Sequence, residues 1–387
     1  MTEPQENRVI PGRIQGYGFD TSLGEIQREG NMKKIMVAMV LAVAVFCGCH
    51  IDPAGAEAGM KPDDWLSFGE SRRIIIDTDA GGDDALAILM AAHSPNITIE
   101  GVTVLQGNVT IEQATKNALM TLETAGYECG VYPGATQALD GVERETFSVY
   151  GTDGMGDMDL VHPTGSPSEK SAVDFILETV RKYPDEIEIV ALGPVTNIAN
   201  AIMKAPETMT RVKRIWSMGS AGLGHGNATP AAEFNVYKDV DAYKVMLDSG
   251  VHITVIGLDV CDQEEAAIES HRLAEMEKKN PVLQYASRAF SKLLEFRAGT
   301  QGVDNVIICD AIAMGCVIWS DFVVDAVDCG ASCITHDCEA RGMVLFYRSD
   351  MTYDTMPKIE NMNVRLVRRI RLDRLYENIV ELLSGRD

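Results

Sequence analysis

Positive charge is scarce in this chain. Its 34 lysines and arginines stand against 57 aspartates and glutamates, a formal net charge of -23. Such a surface repels phosphate backbones, so nucleic acid is a poor partner and a small neutral ligand or a cation a better one. The nine cysteines form no Cys-x-x-Cys pair. Cys329, Cys333 and Cys338, with His336 among them, cluster at a spacing that matches no familiar zinc pattern. Ordinary buried thiols, or one disulfide in an exported protein, are expected there. There is no Walker loop and no His-Glu-x-x-His. Gly222-Leu223-Gly224 opens a dinucleotide fingerprint, but Asn227 stands where its last glycine would be. No apolar run reaches the roughly 20 residues of a membrane helix, and no internal repeat or long linker divides the chain. What is present is a large core: of 387 residues, 46% are hydrophobic, enough for one large α/β domain or two ordinary ones.

The first residues read as separate from the fold. Residues 1–31 are polar, glycine-bearing and without hydrophobic period, a non-native or disordered extension. Met32-Lys33-Lys34 and the apolar run Ile35 to Cys47 have the form of a secretory signal over residues 32–58, with Met32 as initiator. Phe46-Cys47-Gly48-Cys49 resembles a lipoprotein cleavage box, which would lipidate Cys49 and anchor the protein to a membrane. Ala54-Gly55-Ala56 or Ala56-Glu57-Ala58 would serve soluble export instead. Either route puts the protein outside the cytoplasm. If the segment is not a signal, the protein is cytoplasmic, and a retained anchor helix is the remaining alternative. The folded domain is expected over residues 72–387.

From Arg72 onward strand and helix signals alternate. Strands are expected at Arg73–Thr78, Ile97–Leu105, Gly130–Tyr132, Ile187–Leu192, Val212–Met218 and His252–Leu258. Helices are expected at Asp83–His93, Ile111–Thr124, Ala172–Lys182, Val195–Met203 and Val240–Leu247. This alternation predicts one α/β domain with a mainly parallel, doubly wound, Rossmann-like sheet flanked by helices. Glu264 to Thr300 is helix-rich and expected at one edge. Strands near Phe322–Val327 and Met343–Tyr347 precede a helix near Leu372–Leu383. Ligands of such sheets bind beyond the carboxyl ends of the strands.

Just there, after the first strand, stands Asp77-Thr78-Asp79-Ala80-Gly81-Gly82-Asp83-Asp84. Four carboxylates within eight residues raise one another's pKa unless something compensates. A bound calcium or magnesium ion would, since hard cations take several carboxylate oxygens. Helix capping by Asp83 and a dipole contact by Asp84 would account for one or two of the four. Haloacid-dehalogenase-like phosphatases carry Asp-x-Asp followed two residues later by Thr or Val, but here that residue is Gly81.

The pattern Asp-x-Asp-x-x-x-Asp-Asp is instead that of calcium-dependent ribonucleoside hydrolases, the inosine-uridine preferring nucleoside hydrolase family. Gln106-Gly107-Asn108-Val109 with Asn117, Leu192-Gly193-Pro194-Val195-Thr196-Asn197, Met218-Gly219, Gly226-Asn227-Ala228-Thr229, Ala232-Glu233-Phe234-Asn235, Gly257-Leu258-Asp259 and Cys309-Asp310-Ala311 resemble the family's blocks in order and spacing, from about Arg72 to the C-terminus.

The resemblance implies hydrolysis of the N-glycosidic bond of ribonucleosides to ribose and free base. Asp79, Asp84, Asp310 and the Leu192 carbonyl would ligate calcium, which would also hold the ribose 2′ and 3′ hydroxyls and the attacking water. Asp79 would be the general base. Asp83 and Asn235 would bind the ribose diol with support from Asn108. Asn227 and Glu233 would bind the 5′ hydroxyl, Met218 would pack on the sugar, and Asp77 would stand behind the ligands. Relatives are commonly dimers or tetramers, which implies a homo-oligomer. Two residues depart from the pattern. Cys309 replaces a His that can protonate the leaving base, and Tyr150 replaces a loop His, where it could stack on the base or hydrogen-bond to it. Base preference is left open. A non-catalytic exported protein that captures nucleosides is the competing class, against which the retention of Asp79 argues.

Overall fold

In the computed structural model the strand order of the main sheet explains where the site lies. Residues 71–142, 144, 146, 148–347 and 361–385 are described. The expected extension and signal segment, residues 1–58, lie outside them. All the described residues belong to one compact unit, residues 65–387. Among them no helix is long and apolar enough to cross a membrane.

The strands are β1 (Arg72–Thr78), β2 (Ile97–Val104), β3 (Gly130–Pro133), β4 (Ile187–Ala191), β5 (Arg214–Met218), β6 (Ile253–Ile256), β7 (Ile268–Glu269), β8 (Asn305–Val306), β9 (Val323–Cys333), β10 (Val344–Tyr347) and β11 (Val364–Ile370). Nine of them form one sheet in the order β10-β9-β11-β6-β5-β4-β1-β2-β3, and β7 and β8 form a small separate pair. From β11 to β3 all neighbours are parallel, and β9 and β10 add an antiparallel edge. The chain order reverses between β1 and β4, so a crevice opens there at the carboxyl ends of both strands. The strands flanking it are almost wholly buried: all of β1 but Arg73, and every residue of β4. Burial on both sides is what a sheet covered on both faces requires, and the one charge it encloses on β4, Glu188, is paired with Arg72.

The helices are α1 (Gly82–His93), α2 (Ile111–Ala125), α3 (Ala172–Lys182), α4 (Thr196–Lys204), α5 (Pro206–Met209), α6 (Phe234–Lys238), α7 (Val240–Asp248), α8 (Leu258–Cys261), α9 (Ser270–Met276), α10 (Pro281–Ala289), α11 (Ser291–Thr300), α12 (Cys309–Ile318) and α13 (Leu375–Ser384). Helix α1 is buried from Gly82 to Ala91, because α2, α10, α12 and α13 all pack against it. The helix-rich segment expected at an edge therefore partly covers the central helix.

Sequence patterning also passed over β11, which holds three arginines in seven residues. It lies inside the sheet because Val364, Leu366 and Val367 are buried, while Arg365 and Arg368 pair with Asp328 and Asp325 of β9. Cys329 and Cys333 are buried free thiols of β9, and Cys338 is an exposed free thiol.

Candidate active site

The acidic loop is built by close backbone approach. Asp77, the last residue but one of β1, is wholly buried; its Oδ1 accepts from Thr103 Oγ1 at 2.6 Å and from Asn197 Nδ2 at 2.9 Å. Asn197 lies in the first turn of α4 and also donates to the Val104 carbonyl at 3.2 Å, so it ties that helix to the ends of β1 and β2. Thr78 Oγ1 donates to Asp84 Oδ1 at 2.5 Å and accepts from Ala80 N at 3.0 Å, and Gly81 N donates to Asp84 Oδ2 at 2.8 Å. Ala80 has a left-handed φ of 50°, an unfavourable conformation for a residue with a Cβ. The Asn117 amide holds that turn from above by donating to the carbonyls of Ala80 and Asp153 at 2.8 Å each.

Asp79 is enclosed. Asn108 N donates to its Oδ2 at 2.6 Å. A Cβ on Gly107 would lie 2.0 Å from Asp79 Oδ2, and one on Gly193 2.9 Å from Oδ1. Only glycine lets the loops after β2 and β4 close on this carboxylate. Asp79 Oδ1 and Asp77 Oδ2 are buried without a hydrogen-bond partner.

Asp83 and Asp84 from the first turn of α1 meet Asp310 from the first turn of α12. One oxygen from each lies within 4.8 Å of the others, a grouping able to hold a metal ion. Asp310 N also donates to Asp83 Oδ2 at 3.4 Å. Burial pushes the Asp77 and Asp79 carboxyls up to about 7. Burial and then the charges of the neighbouring aspartates hold Asp84 and Asp310 well above the usual carboxylate range. Buried carboxylates that oppose one another, two of them with an unpartnered oxygen, fit a hard cation with oxygen ligands.

A cavity of about 520 Å³ opens above this cluster, lined by Asp83, Asn108, Tyr150, Leu192, Met218, Asn227, Glu233, Asn235, Cys309 and Asp310 among others. Ten of the thirteen residues singled out from the sequence thus line one cavity; Asp77, Asp79 and Asp84 lie buried outside this lining. Asn235 Nδ2 donates to the carbonyls of Leu192 at 2.8 Å and Met218 at 3.2 Å, so the ends of β4 and β5 are bridged by one side chain. Glu233 caps α6. It accepts from the backbone N–H groups of Asn235 at 2.8 Å and of Val236 and Ser220 at 3.1 Å each, and burial pushes it up to about 7. Asn227 Oδ1 accepts from Phe234 N at 2.9 Å. Both residues therefore shape the loop as well as line the cavity. Tyr150 packs over Gly82, where a Cβ would come within 2.9 Å of its ring, and its hydroxyl faces Asp83. Cys309 lies beside Cys261; contact with that thiol and then burial push it well above its usual range.

Part of the lining carries no signal in the sequence. Leu293, Phe296, Arg297 and Gln301 reach the cavity from α11 and the residue after it. Phe296 is 41% exposed although apolar, a placement that shows only once the cavity is seen.

Carboxylates below and amides around the wall define a class of enzyme acting on a small, hydroxyl-rich substrate with a metal ion at hand. Comparison with known proteins narrows this class. Residues 74–377 match the model of the inosine-uridine preferring nucleoside hydrolase family, and the chain belongs to that family. Uridine nucleosidase 1 of Arabidopsis thaliana is 43% identical over 198 residues, 51% of this chain and 59% of that protein. A probable uridine nucleosidase 1 of Oryza sativa subsp. japonica is 34% identical over 256 residues, 65% of this chain and 78% of that protein. The solved structure of a plant nucleoside hydrolase, PpNRh1, superposes with a TM-score of 0.75 at 28% identity, covering 82% of this chain and 100% of that one.

Proposed function

We propose that this chain hydrolyses the N-glycosidic bond of ribonucleosides, uridine among them, and that calcium is its resident cation. The observation that carries the reading is the buried Asp79 carboxylate, with one oxygen fixed by Asn108 and the other unpartnered, next to a grouping of oxygen donors able to hold a metal. Asp84 and Asp310 are common to that grouping and to the ligand set that the family resemblance implies, and Asp79 and the Leu192 carbonyl would complete the set. Asp83 stands in the grouping as well, at the boundary between metal and substrate. Calcium, when bound, supplies a Lewis acid that lowers the pKa of a water and gathers hydroxyl oxygens.

The protein's own groups do the rest. Asp79 accepts the proton of the attacking water. Asp83 and Asn235 orient the ribose diol with Asn108, and Asn227 and Glu233 lie on the same wall for the 5′ hydroxyl. Met218 packs on the sugar, and Asp77, anchored by Thr103 and Asn197, steadies the turn from below. Positive charge developing on the ribose as the bond breaks is stabilised by the surrounding carboxylates. The base then faces Tyr150, Cys309 and α11. The relatives' names make uridine the first substrate to try. Homo-oligomerisation, expected from the resemblance, is read by sedimentation. Export, proposed from Lys33-Lys34 and the following apolar run, is read from the N-terminus of the protein purified from its native source. The proposal predicts ribose release that Asp79→Ala abolishes in a folded protein. Full activity in that variant would remove Asp79 from the mechanism, and tight nucleoside binding without turnover in the wild type would favour the non-catalytic binding protein.

A further inference from the structure

Lys238 is the last residue of α6 and only 7% exposed, a rare state for a lysine. Its Nζ donates to the Arg144 carbonyl at 2.8 Å, and Arg144 Nη1 donates back to the Lys238 carbonyl at 3.0 Å. The exchange is reciprocal and spans 94 residues of sequence. Both ends are anchored. Asp140 holds the Arg144 guanidinium through both carboxylate oxygens. The residue after Lys238, Asp239, accepts from Leu139 N at 2.9 Å and Thr196 Oγ1 at 2.7 Å. Two residues beyond Arg144, Thr146 Oγ1 donates to the Gly107 carbonyl at 3.3 Å, beside the backbone that grips Asp79. Next come Ser148, Val149 and Tyr150 on the cavity wall. At the other end of α6 stand Glu233, Phe234 and Asn235, on the same cavity.

We propose that Lys238 is a positioning residue: with Arg144 it staples the segment carrying Ser148, Val149 and Tyr150 to the helix carrying Asn235, and so fixes the width of the substrate cavity. Lys238 touches no reacting atom. Its ammonium donates to a backbone carbonyl, among the stronger hydrogen bonds available to a charged donor, and its positive charge also lowers the Asp79 carboxyl, an influence that Lys238→Arg keeps. Releasing it loosens one wall, which weakens the hold on substrate in ground and transition states alike. Such a loss raises KM and leaves kcat nearly unchanged.

The test has two arms, on the full chain with metal present. The first needs no activity: the rate of tryptic cleavage after Arg144, followed by mass spectrometry. In Lys238→Met this rate should rise about tenfold, the effect of losing one charge-assisted hydrogen bond, and Lys238→Arg should restore protection. Should Lys238→Met fail to accumulate, Lys238→Gln takes its place. An unchanged cleavage rate overturns the staple. The kinetic arm rests on the nucleosidase reading above. There KM for uridine should rise about tenfold in Lys238→Met, with kcat within about threefold, and Arg144→Met should raise KM without multiplying the Lys238→Met effect in the double variant. A fall in kcat at unchanged KM, or fully multiplicative effects, overturns the positioning role. If the wild type releases no ribose, the functional reading fails while the tryptic arm still decides the staple.

Discussion

Asp310→Asn should make the metal-free protein more stable and the metal-loaded protein less so. In the structure the Asp310 carboxylate has oxygens of Asp83 and Asp84 within 4.8 Å, and among the described residues only its backbone N–H makes a hydrogen bond. An isosteric amide therefore breaks no partner bond of the side chain. At an effective dielectric near 20, two unit charges at that separation repel by about 3.5 kcal/mol. Two such neighbours, all three groups ionised, would give about 7 kcal/mol at that separation. Partial protonation of the cluster, whose carboxyls burial and mutual charge push up, relieves much of that, leaving a net gain of about 2 kcal/mol. For a domain of this size that is a rise of roughly 4 °C in Tm. Calcium at a hundredfold excess over its Kd should add about 2.7 kcal/mol to the wild type, and little to the variant. Scanning calorimetry with chelator and then with calcium should show the order of melting inverting: variant above wild type without metal, wild type above variant with it. A variant that melts lower in chelator refutes the charge argument, and equal calcium stabilisation of both proteins refutes Asp310 as a ligand.

Gly107→Ala should leave the fold intact and cut turnover at least a hundredfold, because its Cβ would stand 2.0 Å from Asp79 Oδ2 and a misplaced group costs that much; near-normal kcat would contradict the enclosure of Asp79. Glu188 lies buried between Arg72, which donates Nε at 2.9 Å, and Trp216, which donates Nε1 at 2.7 Å. Burial alone would push its carboxyl up, but Arg72, Trp216 and Lys213 together hold it below its ordinary value. Its contribution is therefore present above the unfolded pKa of about 4.3 and lost as pH falls through the lower folded value. Glu188→Gln should cost about 3 kcal/mol near neutral pH by removing the buried counter-charge of Arg72, which keeps its bond to the Val317 carbonyl, with the gap to wild type closing in acid; a pH-independent gap would count against the ion pair. Cys309→Ala should lower turnover on natural nucleosides tenfold or less, since a thiol pushed above its usual range is a poor proton donor. A thousandfold loss that spares nitrophenyl riboside would make Cys309 the acid.

The parts of this protein legible in sequence are those where one local rule acts alone. The parallel strands flanking the crevice carry short apolar runs, residues 74–76 and 189–191, and their alternation with helices marks the sheet class. The Asp77–Asp84 loop was readable because four carboxylates in eight residues have few explanations. What escaped depends on partners distant in the chain. β11 is arginine-rich and becomes a strand only when Asp325 and Asp328 of β9 stand opposite. The α11 wall has no apolar stripe to mark it, since its residues face a cavity. Asp83 belongs to the acidic loop and, by the resemblance, to the ribose diol, and it takes α12 to bring Asp310 beside it. Glu233 and Asn227 were read as ligand contacts, yet their hydrogen bonds to the start of α6 are tertiary facts that no spacing discloses. Lys238 carried no signal, because a lysine ending a short helix is ordinarily solvated.

The most direct test of the account is ribose release from uridine by the purified chain, measured as reducing sugar, first as prepared, then after exhaustive chelation, then after calcium is returned. The account predicts equal amounts of ribose and uracil, loss of turnover on chelation, and recovery with calcium. Undiminished ribose release from the chelated protein would contradict the metal at the centre of the site, and no release from uridine, inosine or any other ribonucleoside in the presence of calcium would contradict the proposed reaction itself.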